Sequence, residues 1–365
     1  MIAYNFHPAG NGASGRASVG QGKLAPVSLV PASDQPAYRA QLAASGEQQL
    51  IAQLVGTLGS SFSRNFLVAY YVSLKTNPFV VLTGREGAGK AALAAGFAAT
   101  LVGTQSGQFV TIGSDRWARR SSQSEYYRGI HERFGASQFV ETLQEAAARE
   151  NAGKVYLLLL KGLSLDELHT YVNGLLHVGP HGERRLVLPG LPAAEQPVVP
   201  ANCFITATLH LPRLTSALDQ QVLRHAAQIE FSPSLHADAH VPVLPPPPVG
   251  LQRVMLAATS HDPRQAQARL SAILGRRSLK TLGPSPEVAR QLLEGGASFD
   301  RELREDMLTY VANSFDSDGQ GLFDPQDPQR NAQLAYNAQS VQRLLWRVDR
   351  RRRTLHRRLA DVLHG

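Results

Sequence analysis

The sequence predicts an α/β fold, in which helices flank a parallel sheet and a small all-helical domain follows. Two observations carry this prediction. Up to about residue 235, apolar runs of strand length alternate with segments whose apolar residues recur every three or four positions, a pattern typical of a parallel sheet covered on both faces. Beyond the proline-rich stretch at 242–248, PVLPPPP, the composition is helical apart from one loop at 316–327.

The elements follow from local patterns. Residues 36–75 look helical, and Asn77-Pro78 is expected to end that helical stretch. A buried strand at 79–82, a glycine-rich turn at 84–90 and a helix at 91–101 come next. The later predictions are strands at 108–112, 155–160, 202–208 and 228–231, and helices at 137–151 and 165–176.

The domain boundaries come from composition. Residues 1–35 are rich in Gly, Ser, Ala and Pro without periodicity, which indicates a flexible tail. Proline lacks a backbone N–H, so the stretch at 242–248 can join neither a helix nor a central strand. The predicted segments are a tail at 1–35, an α/β domain at 36–235, a connector at 236–252 and a helical lid domain at 253–365 with a basic C-terminal helix.

Composition limits the class of protein. Hydrophobic residues make up 43% of the chain and charged residues 18%, which is ordinary for a protein that buries a core. No apolar run approaches the roughly 18 residues of a membrane helix. Cys203 is the single cysteine, so no intrachain disulfide can form. We therefore expect a cytoplasmic protein that does not enter a membrane.

Positive charge is concentrated near the C-terminus. Residues 343–358 hold eight arginines and one acid, Asp349, which is nearly all of the net charge of +8. One helix face there is apolar, and a solvated basic face is the plain interpretation of the other. The alternative is contact with nucleic-acid phosphates or an acidic partner. The arginines concerned are Arg350, Arg351, Arg352, Arg353, Arg357 and Arg358.

Residues 83–93, TGREGAGKAAL, have the pattern of a phosphate-binding loop. The glycines at 84, 87 and 89 allow backbone N–H groups to surround phosphate oxygens, and Lys90 reaches the outer phosphates. The predicted order of strand, loop and helix is the context that this motif requires. The nucleotide-binding candidates are Gly84, Gly87, Gly89 and Lys90. Ala91 departs from the pattern, because it lacks the hydroxyl that normally binds magnesium.

The segments after this loop resemble, in order, those of the AAA+ family of P-loop NTPases. Within that family they are similar to the GTPase subunit of methylcytosine-specific restriction systems and related prokaryotic proteins. Residues 156–176 resemble the Walker B strand and its following helix, and residues 198–210 resemble the sensor-1 strand. Residues 216–231 resemble the arginine-finger segment, and the helical end resembles the lid. Further similar segments are Trp117 with the loop after it, 137–147 and 183–190.

The resemblance implies catalytic residues that this chain lacks. Lys161-Gly162 stands where the family has the Walker B Asp-Glu, and neither residue can support magnesium or polarise water. His210 stands at the sensor-1 Asn, and His225 stands at the finger arginine. A mostly neutral histidine lacks the permanent charge of arginine. We therefore assign no catalytic residue.

The alignment of the finger segment, unlike that of the Walker B strand, leaves room for a shift. If the finger segment is shifted by one residue, Arg224 is the candidate finger. Asp166 and Glu167 lie one helical turn beyond Lys161, and we predict that they are surface residues of a helix.

Together these features predict a degenerate AAA+ protein whose nucleotide hydrolysis is impaired or absent. It would be a structural or regulatory subunit in an oligomer with AAA+ subunits. ATP or GTP is the expected cofactor, and the missing ligands argue against magnesium. Lys161 offers a cation where the metal would lie, so we expect either metal-free binding or a loop that stays closed without ligand. The alternatives are an active ATP- or GTP-hydrolysing motor of the restriction type and a nucleic-acid-binding adaptor.

The loop at 316–327 has the spacing of a calcium site. Asp316, Asp318, Gln320 and Asp327 take positions 1, 3, 5 and 12, with Gly321 at position 6. The Gln at position 5, the Asp at 12 and a Pro at 10 depart from the pattern. We therefore favour an acidic connector between two helices, with calcium binding as the alternative.

Overall fold

The computed structural model describes residues 46–77, 79–113, 138–163, 196–210, 226–231, 250–259, 263–283 and 301–344, together with residues 168, 177–178, 184–185, 192, 247 and 290. These residues all fall within one structural unit, Ala44–Gly365. Several predicted features lie outside the described residues: the tail at 1–35, most of the connector, Trp117, Asp166, Glu167, Arg224, His225 and the six C-terminal arginines.

Two helices precede the sheet. Helices α1 (Gly46–Leu58) and α2 (Arg64–Thr76) occupy most of the stretch that was predicted to be helical at 36–75. Ser63 explains the break between them, because its hydroxyl accepts the backbone N–H of Phe66 at 3.3 Å and caps α2. Helix α2 ends just before Asn77, as predicted.

The remaining elements confirm the α/β class. The strands are β1 (Phe79–Gly84), β2 (Phe109–Gly113), β3 (Tyr156–Leu163), β4 (His177–Val178), β5 (Arg184–Arg185), β6 (Val198–Val199), β7 (Cys203–His210) and β8 (Ala227–Glu230). The helices are α3 (Lys90–Val102), α4 (Gln138–Ala147), α5 (Leu251–Ala258), α6 (Pro263–Thr281), α7 (Arg301–Asn313) and α8 (Pro328–Leu344). Five strands form a parallel sheet in the order β2-β3-β7-β1-β8.

A second, antiparallel sheet joins β4, β5 and β6. The sequence analysis did not predict it, because a strand of two residues is too short to show an alternating pattern.

The two faces of the parallel sheet bury separate clusters of apolar side chains. Val80 and Leu82 of β1 belong to the cluster that we call the large core, which also contains buried residues of α1, α2 and α3. Phe79 and Val81 point to the opposite face and belong to the small core, which contains Phe139 of α4. This alternation follows from the two-residue period of a strand.

Helices α5, α7 and α8 also contribute to the large core. Met307 of α7 and Ala335 of α8 are fully buried in the same cluster as Val80. The described helices beyond residue 250 and the sheet therefore fold around shared apolar side chains. Within the described part of the chain, no helix combines the length and apolarity needed to cross a bilayer.

Candidate functional site

The glycine-rich loop joins β1 to α3, as the sequence predicted. Gly84 ends β1 with φ 138°, Gly87 has φ 73°, and Gly89 caps α3 with φ 84°. A Cβ atom on Gly84 would lie 2.9 Å from Cβ of Phe231 and 3.0 Å from the carbonyl oxygen of that residue. Backbone conformation and the close approach of Phe231 therefore both require glycine at position 84.

Lys90 folds back over this loop. Its Nζ donates a hydrogen bond to the carbonyl oxygen of Gly84 at 2.8 Å and another to the carbonyl oxygen of Arg85. Burial lowers the pKa of the Lys90 ammonium, and the Glu86 carboxylate opposes this effect. A phosphate oxygen is a stronger partner for an ammonium than a neutral carbonyl, so an anion at the loop can replace these two acceptors.

Backbone donors are available at the same place. The N–H groups of Gly87 and Gly89 meet no acceptor among the described residues. Both precede helix α3, whose N-terminal end carries a partial positive charge. These backbone N–H groups and the Lys90 ammonium are the kinds of donor that bind the phosphate groups of a nucleotide.

A magnesium ion does not fit the same residues. Ala91, the second residue of α3, has a methyl group in place of the usual hydroxyl. Lys161 and Gly162 at the end of β3 offer no carboxylate oxygen. No group of three or more His, Cys, Asp or Glu side chains is placed to hold a metal in the described part of the chain. Magnesium needs oxygen ligands at fixed octahedral positions, and these side chains supply none.

The end of β3 contains an irregularity that explains its glycine. The pairing of β3 with β7 shifts between Leu160 and Leu163, which indicates a β-bulge. Gly162 lies in the bulge with φ 73°, and its N–H donates to Oγ1 of Thr208 at 2.9 Å. Glycine is favoured here because a positive φ strains other residues. The side chain of Lys161 is exposed beside this bulge.

Strand β7 places His210, which the resemblance sets at the sensor-1 position, beside the loop. His210 pairs with Gly84 across the β1–β7 ladder. Thr208, which fixes the bulge, was missed by the sequence analysis. The alternation of Thr206 and Thr208 with apolar residues in this strand was the signal that could have revealed a polar face. The finger position, His225 or Arg224, lies outside the described residues and stays a prediction.

Two of the four candidate calcium residues, Asp316 and Asp327, bind backbone and side-chain groups of the protein itself. Asp316 is fully buried, and its Oδ1 accepts the backbone N–H groups of Asp318 at 3.0 Å and Gln320 at 2.8 Å. Its Oδ2 accepts Nε2 of Gln48 at 3.3 Å. Asp327 accepts two backbone N–H groups in the first turn of α8, at 2.9 and 3.0 Å. Asp316 and Asp327 thus stabilise the loop and a helix end, as the connector interpretation expects.

No protein-family model matches this chain, and none of the curated proteins matches its sequence.

Proposed function

We propose that this chain is a degenerate AAA+-like protein that binds ATP or GTP and hydrolyses it slowly or not at all. The supporting observation is a contrast along one edge of the sheet. The loop keeps its glycines and Lys90, while the neighbouring strand ends carry Lys161-Gly162 and His210. The binding part of the site is present, and the part that would act on the phosphate bond is replaced.

The chemistry follows from what each part does. The loop N–H groups and Lys90 would bind and orient the phosphate chain. Hydrolysis further requires that developing charge be neutralised and that a water be oriented for in-line attack. The side chains of Ala91 and Gly162 can do neither, because they carry no polar atoms. Binding without efficient turnover is the expected result.

We propose that such a protein acts in the cytoplasm through assembly, as a structural or regulatory subunit beside AAA+ subunits. The order of the segments along the chain and their resemblance to that family support this role. A bound nucleotide would stabilise the folded loop by mass action. The fraction of subunits with an ordered loop would then depend on the nucleotide concentration, and so would their contacts in the assembly.

The test combines equilibrium binding and phosphate release, each measured with ATP and with GTP. We expect binding without phosphate release above the blank. Lys90→Ala should weaken binding about 10- to 100-fold, because it removes a charge-assisted hydrogen bond. Lys154→Ala is the control, since Lys154 is exposed just before β3, at the opposite edge of the sheet. Turnover that Lys90→Ala abolishes would instead establish the active motor.

Native mass measurement tests the assembly role. We expect an oligomer of this chain or a complex with an AAA+ subunit, and a monomer under every condition would contradict it. The adaptor alternative makes a separate prediction: DNA binding at low salt that disappears when residues 350–365 are removed.

A further inference from the structure

We infer that this site binds the phosphate chain of its nucleotide without a metal ion, and that the Lys161 ammonium takes the place of the cation. The inference rests on the proposed function, because it concerns the same loop.

The side of the sheet on which Lys161 lies follows from its neighbours in β3. Leu157 packs in the large core with α3, whereas Leu158 and Leu160 pack in the small core. Successive strand residues alternate between faces, so Lys161 follows Leu160 on the α3 side. Leu163 packs in the small core again. The pairing with β2 keeps its register as far as Lys161, which lies opposite Gly113, so the alternation holds up to that residue and the break in it comes later. Lys161 therefore lies on the same face as the helix that begins at Lys90.

The register places Lys161 level with Leu82, two residues before Gly84 at the end of β1. Leu160 pairs with Ala207, which pairs with Val81. Two residues of β1, Leu82 and Thr83, separate Val81 from Gly84. Only β7 lies between β1 and β3, so the two strands are about 10 Å apart at the usual strand spacing. A phosphate chain together with the four-carbon stem of a lysine can cover that distance.

The charge of Lys161 itself favours an anion over a second cation beside it. The exposed Lys161 side chain has no hydrogen bond or ion pair with any residue that the structure describes. Two described carboxylates belong to this edge of the sheet: Glu86 in the loop and Glu230, the last residue of β8. An ammonium between the loop and β2 repels a divalent metal and attracts a phosphate oxygen. Lys161 and Lys90 would then approach the phosphate chain from two sides.

The experiment is calorimetry with ATP, GTP and tripolyphosphate, each in EDTA and in excess magnesium. We expect binding in EDTA that is at least as tight as in magnesium, because a metal–phosphate complex carries less negative charge to the lysines. Lys161→Met should weaken binding in EDTA about 10- to 100-fold. Lys154→Met removes the same charge beyond the opposite end of β3 and should change nothing. Tripolyphosphate shows whether the phosphate chain alone is sufficient.

A second variant rebuilds a metal site. Ala91→Ser combined with Lys161→Asp restores a hydroxyl and a carboxylate, so its nucleotide binding should become dependent on magnesium. Thermal unfolding of each variant, followed by circular dichroism, checks that the fold is kept, and Lys161→Gln repeats the test if Lys161→Met unfolds.

The outcomes separate the two ideas. Tight wild-type binding only in magnesium, or binding that Lys161→Met leaves unchanged, would overturn the metal-free inference and leave nucleotide binding standing. A double variant that binds equally well in EDTA and in magnesium would also overturn the inference. No binding of ATP, GTP or tripolyphosphate in either condition would overturn both the inference and the proposed function.

Discussion

Cys203 lies on β7 with its side chain fully buried in the small core. At the residue scale, this burial raises the pKa of the thiol from its ordinary value of 9.0 to about 12. The unfolded chain ionises near the lower value and the folded chain near the higher one. The thiol therefore contributes stability that is complete below pH 9 and is lost as the pH rises towards 12, at about 1.4 kcal/mol per pH unit.

We predict that Cys203→Ala loses less stability than the wild type between about pH 8.5 and pH 10.5. Urea unfolding at several pH values measures the difference. Burial also raises the pKa of Tyr70 and Tyr310, but those tyrosines are present in both proteins. Equal slopes of stability against pH in the wild type and the variant would contradict the prediction.

At the scale of elements, a buried ion pair joins α1 to α2. Nζ of Lys75 lies 2.5 Å from Oε1 of Glu47, and the two side chains are 0% and 5% exposed. The same carboxylate oxygen accepts the Tyr71 hydroxyl at 3.0 Å. Burial lowers the pKa of Lys75, and Glu47 opposes this effect. Lys75 also donates to the carbonyl oxygen of Phe315 at 3.4 Å, so the pair ties both helices to the loop between α7 and α8.

Replacing one partner of this ion pair should destabilise the fold more than replacing both. Lys75→Met or Glu47→Leu alone leaves one buried charge without its partner and should cost about 3–5 kcal/mol. The double variant should recover most of that loss, which urea unfolding in a double-mutant cycle measures. Additive losses would show that the two groups do not interact.

Arg330→Ala is the matched control for this cycle. Arg330 pairs with Asp324 at 3.4 Å, but its side chain is 71% exposed. The change in stability should therefore stay within about 0.5 kcal/mol.

At the scale of the whole molecule, the large core connects the sheet to the helices near the C-terminus. The Tyr310 hydroxyl of α7 donates to the carbonyl oxygen of Ala69 in α2 at 3.3 Å. Oε1 of Gln252 in α5 accepts the N–H of Val155, next to β3, at 2.8 Å. Such contacts couple the unfolding of the elements that they join.

We therefore predict one cooperative transition for the sheet and helices α7 and α8. In hydrogen exchange followed by mass spectrometry, peptides from β1, β7 and α7 should lose protection at the same urea concentration. Met307→Ala should lower that concentration for all three, because it opens a cavity worth about 2–5 kcal/mol in the shared core. Loss of protection in α7 before β1 would show a separately unfolding helical region.

Near the site, much of the fold could be predicted from local patterns. The strand predicted at 79–82 is β1 (Phe79–Gly84), and the helix predicted at 91–101 is α3 (Lys90–Val102). A buried apolar run and a glycine-rich turn are local signals, so neighbouring residues suffice to read them. The bulge at Gly162 could not be predicted, because it depends on a hydroxyl of another strand.

The sequence by itself determined the order of the five parallel strands and of helices α3 and α4 along the chain, the loop with Lys90, and the loss of polar groups at Ala91 and Gly162. Those features depend on residue type and on near neighbours. Tertiary structure alone decided the strand order β2-β3-β7-β1-β8, the position of His210 beside Gly84 and the pairing of Glu47 with Lys75. Each of these joins residues that are distant in sequence, and packing of the whole chain brings them together.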